Sequence, residues 1–390
     1  TTPAFYALTV WLIGLGGHAP ALVALAQLAA LAALLVVAAR RLTRLGVPWW
    51  LSGGVAVAIG LLPAVGNVAV TLWNDTAAGL AGLWVFVELL GLATTRRYLS
   101  SPWARYRLTA GLTMWWLYGG GGGVAAVVVV ALIAVVVRGR SAYVVGTGTV
   151  IAVAAVHIGA YTVLPVERSS AHAAEILAPV VADVYRHHQN GFGSDDLRLM
   201  ERVAPLDVWR EASQCEDGNQ LLEDRQFDVA TLRADDDAFR SLGWRTVFAE
   251  PLQAIGYRLC AASFLWVPSQ PAGGYFDLPS YAIPPNSFDI ERDPMSWWAF
   301  NATKAVLVRT QQPDRLWLWW RPAMPLGLAA AVYLVALVRR RRLLWPAAVV
   351  AGYVGAALLT VNSPGIRPVW GLYVTAWLSL PLLWPALRRA

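Results

Sequence analysis

The stretch Ala21–Ala39, ALVALAQLAALAALLVVAA, carries no charged residue and runs straight into Arg40, Arg41 and Arg44. About 20 apolar residues suffice for a helix to cross the hydrocarbon core of a bilayer. A run of that kind, closed by arginines, reads as a membrane span with a cytoplasmic end. Further apolar runs lie at Pro48–Trp73 (interrupted by glycines and Pro63), Thr76–Ala93, Leu108–Tyr118, Val124–Val137, Ala142–Leu164, Ala323–Val338, Leu343–Val361 and Val369–Leu387. Pro3–Leu15 is apolar but short, which suits an interfacial or juxtamembrane helix better than a crossing. The expectation is a mainly α, polytopic transmembrane helical bundle of about 8–9 membrane segments.

Composition agrees. The 390 residues are 57% hydrophobic and 14% charged, against roughly a quarter charged in a soluble domain. Placing Arg40, Arg41 and Arg44 in the cytoplasm and alternating puts every other basic cluster there too. These are Arg96, Arg97, Arg105 and Arg107, then Arg138 and Arg140, then Arg339–Arg342, and finally Arg388 and Arg389. Within residues 1–166 and 322–390 the only acids are Asp75 and Glu88. The +7 charge is therefore mostly a cytoplasmic rim, and a nucleic-acid partner is not expected.

The same alternation puts Glu167–Arg321 on the outer face. The expected organisation is a first transmembrane part at 1–166, an inserted extracytoplasmic mixed α/β domain at 167–321, and the last three spans at 322–390. In the inserted region Ser169–His188, Asp195–Val203 and Leu206–Ala212 have helical spacing. Phe227–Leu232 reads as a short strand, and Trp266–Pro294 as ordered loop. Cys215 and Cys260, the only two cysteines, form a disulfide if the region is exported, or are two small core residues. Arginine greatly outnumbers lysine, with Lys304 alone, a composition that points to a high-GC bacterium and its plasma membrane.

Few residues carry chemistry. No P-loop or dinucleotide fingerprint faces the cytoplasm, and Gly119–Gly123 reads as a flexible turn. Asp75 ends Trp73-Asn74-Asp75 at an outer helix start. An acid in so apolar a setting is a functional candidate by default, although Asn74 or Asp75 also suits a helix cap. Arg367 is the lone outer cation beyond the inserted region; its planar fork suits a phosphate, and a headgroup contact or a structural ion pair suits it equally. Glu88 lies ~20 Å further down the same helix by helical rise, as a protonated, hydrogen-bonded interhelical contact or a proton or ion relay. His157 reads as a packed interhelical histidine; His172, His187 and His188 as surface residues. Trp266, Tyr275, Asp277, Tyr281, Asp289 and Trp297 form a set able to stack on sugar rings and hold hydroxyls. Trp317, Trp319 and Trp320 suit an interfacial aromatic belt.

These residues resemble the GT-C superfamily of polytopic membrane glycosyltransferases, which draw on polyprenyl-phosphate sugars at the outer face. Thr2-Pro3-Ala4-Phe5-Tyr6-Ala7-Leu8 resembles the family's His-Pro-Pro-x-Tyr/His-Thr segment, with Thr2 where the family has His. Trp73-Asn74-Asp75 resembles the acidic tip of the second outer loop, and Arg367 stands where some members hold the lipid phosphate. The family's principal carboxylate belongs to a first outer loop, before the stretch where this sequence starts; if residues upstream of Thr1 are missing and carry it, Asp75 would be a secondary acid. The inserted region also precedes the last three spans, whereas many members carry it at the C-terminus. The resemblance implies transfer of a sugar to an extracytoplasmic glycan or lipid acceptor of the cell envelope. Asp75 would be catalytic, Arg367 would bind donor phosphate, and Asn74 with the aromatic and acidic set would contact acceptor or sugar. No cofactor is specified; a divalent metal (Mg or Mn) is compatible, with no ligands identified. Two other classes remain open: a transporter or flippase of a lipid-linked saccharide, using Glu88 and His157, and a non-enzymatic assembly factor with an exported domain.

Overall fold

The computed structural model describes residues 4–16, 19–95, 97–118, 122–137, 140–163, 172–211, 214–269, 276–278 and 296–388. Eight helices come first: α1 (Ala4–Ile13), α2 (Pro20–Arg44), α3 (Trp49–Gly60), α4 (Pro63–Ala69), α5 (Asn74–Thr94), α6 (Pro102–Leu117), α7 (Gly122–Val137) and α8 (Arg140–Val163). A second group follows: α9 (His172–His187), α10 (Ser194–Val203), α11 (Leu206–Glu211), α12 (Asn219–Glu223), α13 (Val229–Ala234), α14 (Asp236–Ala249), α15 (Pro251–Ala261), α16 (Trp297–Thr310) and α17 (Leu316–Trp319). The chain closes with α18 (Ala323–Arg339), α19 (Ala347–Thr360), α20 (Trp370–Ser379) and α21 (Leu383–Leu387).

The protein is mainly α-helical and has the apolar helices of a membrane protein. Among the described residues, four helical stretches are long and apolar enough to cross a membrane: Pro20–Arg44, Asn74–Thr94, Arg341–Thr360 and Arg367–Leu387. α3 and α4 together make a fifth, bent by 62°. The bend falls where Leu62 precedes Pro63 and takes an extended conformation (φ −64°, ψ 131°), as the residue before proline prefers. The expected single run Pro48–Trp73 is thus two pieces. α2 ends on a left-handed glycine, Gly46 (φ 96°). The Gly46 amide donates to Thr43 O and the Val47 amide to Leu42 O, the double bond of a Schellman cap.

α5 is the central helix, buried on almost every side. It meets α20 where glycines remove the side chains. A Cβ on Gly371 would stand 2.9 Å from Gly79 Cα and 2.0 Å from Tyr353 Oη of α19. Small residues at such crossings let helix backbones approach closely in membranes.

The end of the bundle rich in arginine holds Glu88, which is 4% exposed. Arg107 Nε donates to its Oε1 at 3.0 Å and Tyr98 Oη to its Oε2 at 2.5 Å. Arg107 and Arg41 both donate to Tyr98 Oη, at 3.0 and 2.7 Å. Glu88 is therefore an interhelical contact, but it is ion-paired with Arg107 rather than the expected protonated carboxyl. Replacing Glu88 by alanine leaves Tyr98 and Arg107 without their acceptor. It is expected to cost about 1–3 kcal/mol of stability, measurable as a lowered unfolding temperature in micelles.

Residues 172–261 build their own core around Trp209, which is fully buried and donates through Nε1 to Met200 O and Ala204 O at 3.1 and 3.2 Å. Phe227 and Phe239 pack on its ring. Among the described residues this region has no strand, so the expected mixed α/β character is absent there. The expected strand at Phe227–Leu232 is a correction. Asp228 Oδ1 accepts from the Ala230 and Thr231 amides at 2.9 and 3.1 Å, and helix α13 starts there. An N-capping acid wins over the strand preference of a short apolar run. The Thr231 hydroxyl, then its amide, hold the Asp228 carboxyl below its ordinary range. The cysteines are paired: Cys215 and Cys260 form a disulfide with Cα atoms 5.6 Å apart.

Candidate functional site

Asp75 sits in the first turn of α5. Its carboxylate caps no helix; Oδ2 accepts from Arg367 Nε at 2.6 Å. The Arg367 guanidinium also lies over the Trp73 ring, 4.8 Å from its centroid. The two charges singled out in the sequence, 292 positions apart, are thus each other's partner. Asp75 is 18% exposed and Arg367 39% exposed at the side chain. The arginine is the member that solvent or a ligand reaches more easily.

The pair opens into a cleft of about 350 Å³ between the bundle and the helical region. Its walls are Asp75, Thr360, Val361, Asn362, Ser363, Gly365, Arg367 and Pro368 on one side, and Glu175, Ile176, Asn219, Leu222 and Asp277 on the other. Asp277 arrives by a backbone bridge. Its amide donates to Pro364 O at 2.8 Å and its carbonyl accepts from the Ile366 amide at 3.4 Å. The structure therefore brings Asp75, Arg367 and Asp277 together.

The other named residues stand apart. Asn74 donates to Tyr118 O at 3.3 Å and does not line the cleft. Trp266 and Trp297 are exposed, at 45% and 60%, and lie outside the cleft wall; Trp297 packs edge-on to Phe300. Tyr275, Tyr281 and Asp289 lie outside the described residues, as does the side chain of His157. Trp320 is fully buried and donates to Thr310 Oγ1 at 3.2 Å, so it is a core residue and not part of an aromatic belt. Among the described residues no three His, Cys, Asp or Glu side chains are disposed to hold a metal ion. Glu175 and Asp277 share the cleft with Asp75 without forming such a set.

Sequence reading missed Trp73 as the platform under Arg367, and Glu175, Asn219, Asn362 and Ser363 as cleft wall. Asn362 and Ser363 lie with Arg367 between the apolar runs Leu343–Val361 and Val369–Leu387, and their polarity there was the available signal. Glu175 and Asn219 carry no local signal, since their place depends on how the helical region docks.

Asp217 adjoins this wall. Burial pushes its carboxyl above the ordinary range, and Oδ1 has no hydrogen-bond partner. A raised carboxyl pKa stabilises the folded state fully below the unfolded pKa, and that stabilisation fades as pH rises through the folded value. Asp217→Asn is thus expected to raise the unfolding temperature at neutral pH and to flatten its fall between acidic and neutral pH.

No family model, curated protein or solved structure matches this chain. What the site can do follows from its chemistry. An arginine held by one carboxylate on an aromatic platform can exchange that partner for a phosphate, because its fork matches both anions. The exchange frees a carboxylate at the same spot.

Proposed function

We propose that this chain is a multi-pass glycosyltransferase of the bacterial plasma membrane, of GT-C type, with about 8–9 membrane segments and an exported helical region. It moves a sugar from a polyprenyl-phosphate donor to a cell-envelope glycan or lipid. The observation that carries this reading is the 2.6 Å Asp75–Arg367 contact at the mouth of a cleft joining the bundle to that region. The Cys215–Cys260 disulfide supports an oxidising, extracytoplasmic location.

In this reading the donor phosphate takes Arg367 from Asp75. Arg367 then holds the phosphate as the bond from the sugar anomeric carbon to the phosphate oxygen breaks, and stabilises the charge left on it. Asp75 accepts the proton of the acceptor hydroxyl, whose oxygen forms the new bond to that carbon. Asp277, Glu175 and Asn219 face the acceptor side of the cleft.

The test is transfer in liposomes from a panel of radiolabelled polyprenyl-phosphate sugars, wild type against Arg367→Ala. Removing a charged hydrogen-bond donor from phosphate is expected to lower transfer by about 10–100-fold at limiting donor. Wild-type protein that transfers from no donor while remaining folded would turn the reading toward a transporter or an assembly factor.

A further inference from the structure

The loop that carries Arg367 is gripped from the helical region at Val361, Asn362 and Ser363, with most of the bonds on Asn362. The Gly218 amide donates to Asn362 O at 2.7 Å. Arg258 Nη1 donates to Asn362 Oδ1 at 3.1 Å and to Val361 O at 3.3 Å, while Nη2 donates to Ile176 O. Asn362 Nδ2 in turn donates to Glu175 O at 3.0 Å. Next to it, Asn219 Nδ2 donates to Ser363 Oγ at 2.9 Å. The approach at Gly218 admits no side chain: a Cβ there would stand 2.7 Å from Asn362 O and 2.4 Å from Tyr257 Oη.

The two grips are covalently tied. Gly218 follows Cys215 closely in the chain, Arg258 closely precedes Cys260, and those cysteines are bonded. Without the disulfide, the turn bearing Gly218 and helix α15 bearing Arg258 would be joined only by packing. Arg258 itself does not line the cleft. It is also buried enough that desolvation pulls its pKa down, yet it uses its donors on backbone and amide oxygens rather than on a carboxylate. A cation held this way orients a loop.

We propose that Arg258 is a positioning residue for the Asp75–Arg367 site, and that the Cys215–Cys260 disulfide makes that site redox-sensitive. The consequence for phosphate binding rests on the glycosyltransferase reading; the hold on the loop does not. Reduction by an external dithiol breaks the Sγ–Sγ bond and supplies two electrons and two protons. Both cysteines become thiols, and the dithiol closes to its own disulfide. The Gly218 and Arg258 grips then move independently, and Arg367 loses its fixed place against Asp75.

The test is hydrogen–deuterium exchange of the full chain in micelles, together with the affinity for an isoprenyl monophosphate as the probe. The proteins are wild type, Arg258→Ala, Arg258→Lys, the double variant Cys215→Ser with Cys260→Ser, and wild type reduced by a dithiol. Exchange of amides in 362–369 is expected to rise about tenfold or more in Arg258→Ala, in the cysteine variant and on reduction. Amides within α5 stay protected, Arg258→Lys recovers part of the protection, and probe affinity falls about tenfold wherever the loop loosens. If Arg258→Ala does not fold, the cysteine variant and reduced wild type carry the same test. Exchange at 362–369 equal to that of untreated wild type overturns the proposal. A loosened loop with undiminished probe affinity also overturns it, since the grip would then position nothing. A loosened loop in a protein whose wild type binds no isoprenyl phosphate supports the grip and sinks the donor reading instead.

Discussion

Replacing Asp75 by asparagine is expected to slow sugar transfer by about 10²–10⁴-fold, the usual contribution of a positioned general base. Asparagine keeps the shape and an acceptor oxygen for Arg367, so folding should change little. What it loses is the ability to accept a proton from the acceptor hydroxyl. The loss should therefore appear in kcat and hardly in the KM for donor, because Arg367 remains and is no longer neutralised by a carboxylate. Single-turnover transfer in liposomes, with unfolding temperature recorded on the same samples, separates the chemical defect from a folding one. A loss confined to donor KM would assign Asp75 to binding instead.

The second large effect is structural. Gly371→Ala is expected to destabilise the bundle by about 3 kcal/mol or more, the upper range for overpacking a tight core. The added Cβ would meet Tyr353 Oη at 2.0 Å, Cζ at 2.5 Å and Gly79 Cα at 2.9 Å. The tyrosine is buried and the glycine contact is backbone, so neither neighbour can give way cheaply. This crossing also sets the site. α5 begins beside Asp75, and α20 begins just beyond Arg367. Pushing α5 from α20 should lengthen the ion pair along with loosening the core. Thermal unfolding in micelles reads the first effect. Combining Gly371→Ala with Tyr353→Leu tests its cause: the two costs should sum to less than additive, because the leucine vacates the space that the alanine needs.

The parts of this molecule legible in its sequence are those that burial in lipid makes costly to violate. Ala21–Ala39 with its closing arginines announced a helix long and apolar enough to cross a membrane, without knowledge of any neighbour. Asp75 and Arg367 stood out because a charge beside apolar runs requires a reason. That they meet one another was not legible, since nothing local links two residues 292 positions apart. Helices α14 and α15 escaped notice for a different reason. Phe239 and Leu242 face the core, but Trp244, Phe248, Leu252 and Ile255 are exposed, so apolar residues on both sides blur the helical period. Phe227–Leu232 misled because a short apolar run fits strand and helix alike, and only the Asp228 cap decides. Asp277 came to the cleft through backbone pairing with Pro364 and Ile366, a contact that side-chain identity does not encode. Arg258 is the extreme case, since its partners are carbonyls and an amide oxygen brought near by docking.

The central claim is that Arg367 exchanges Asp75 for a donor phosphate, and equilibrium binding of an isoprenyl monophosphate to wild type, Arg367→Ala and Asp75→Asn tests it most directly. The two substitutions are expected to act with opposite signs. Arg367→Ala should weaken binding by about 10–100-fold, and Asp75→Asn should strengthen it, because the competing carboxylate is gone. Equal affinity in all three proteins, or weaker binding in Asp75→Asn than in wild type, would contradict it.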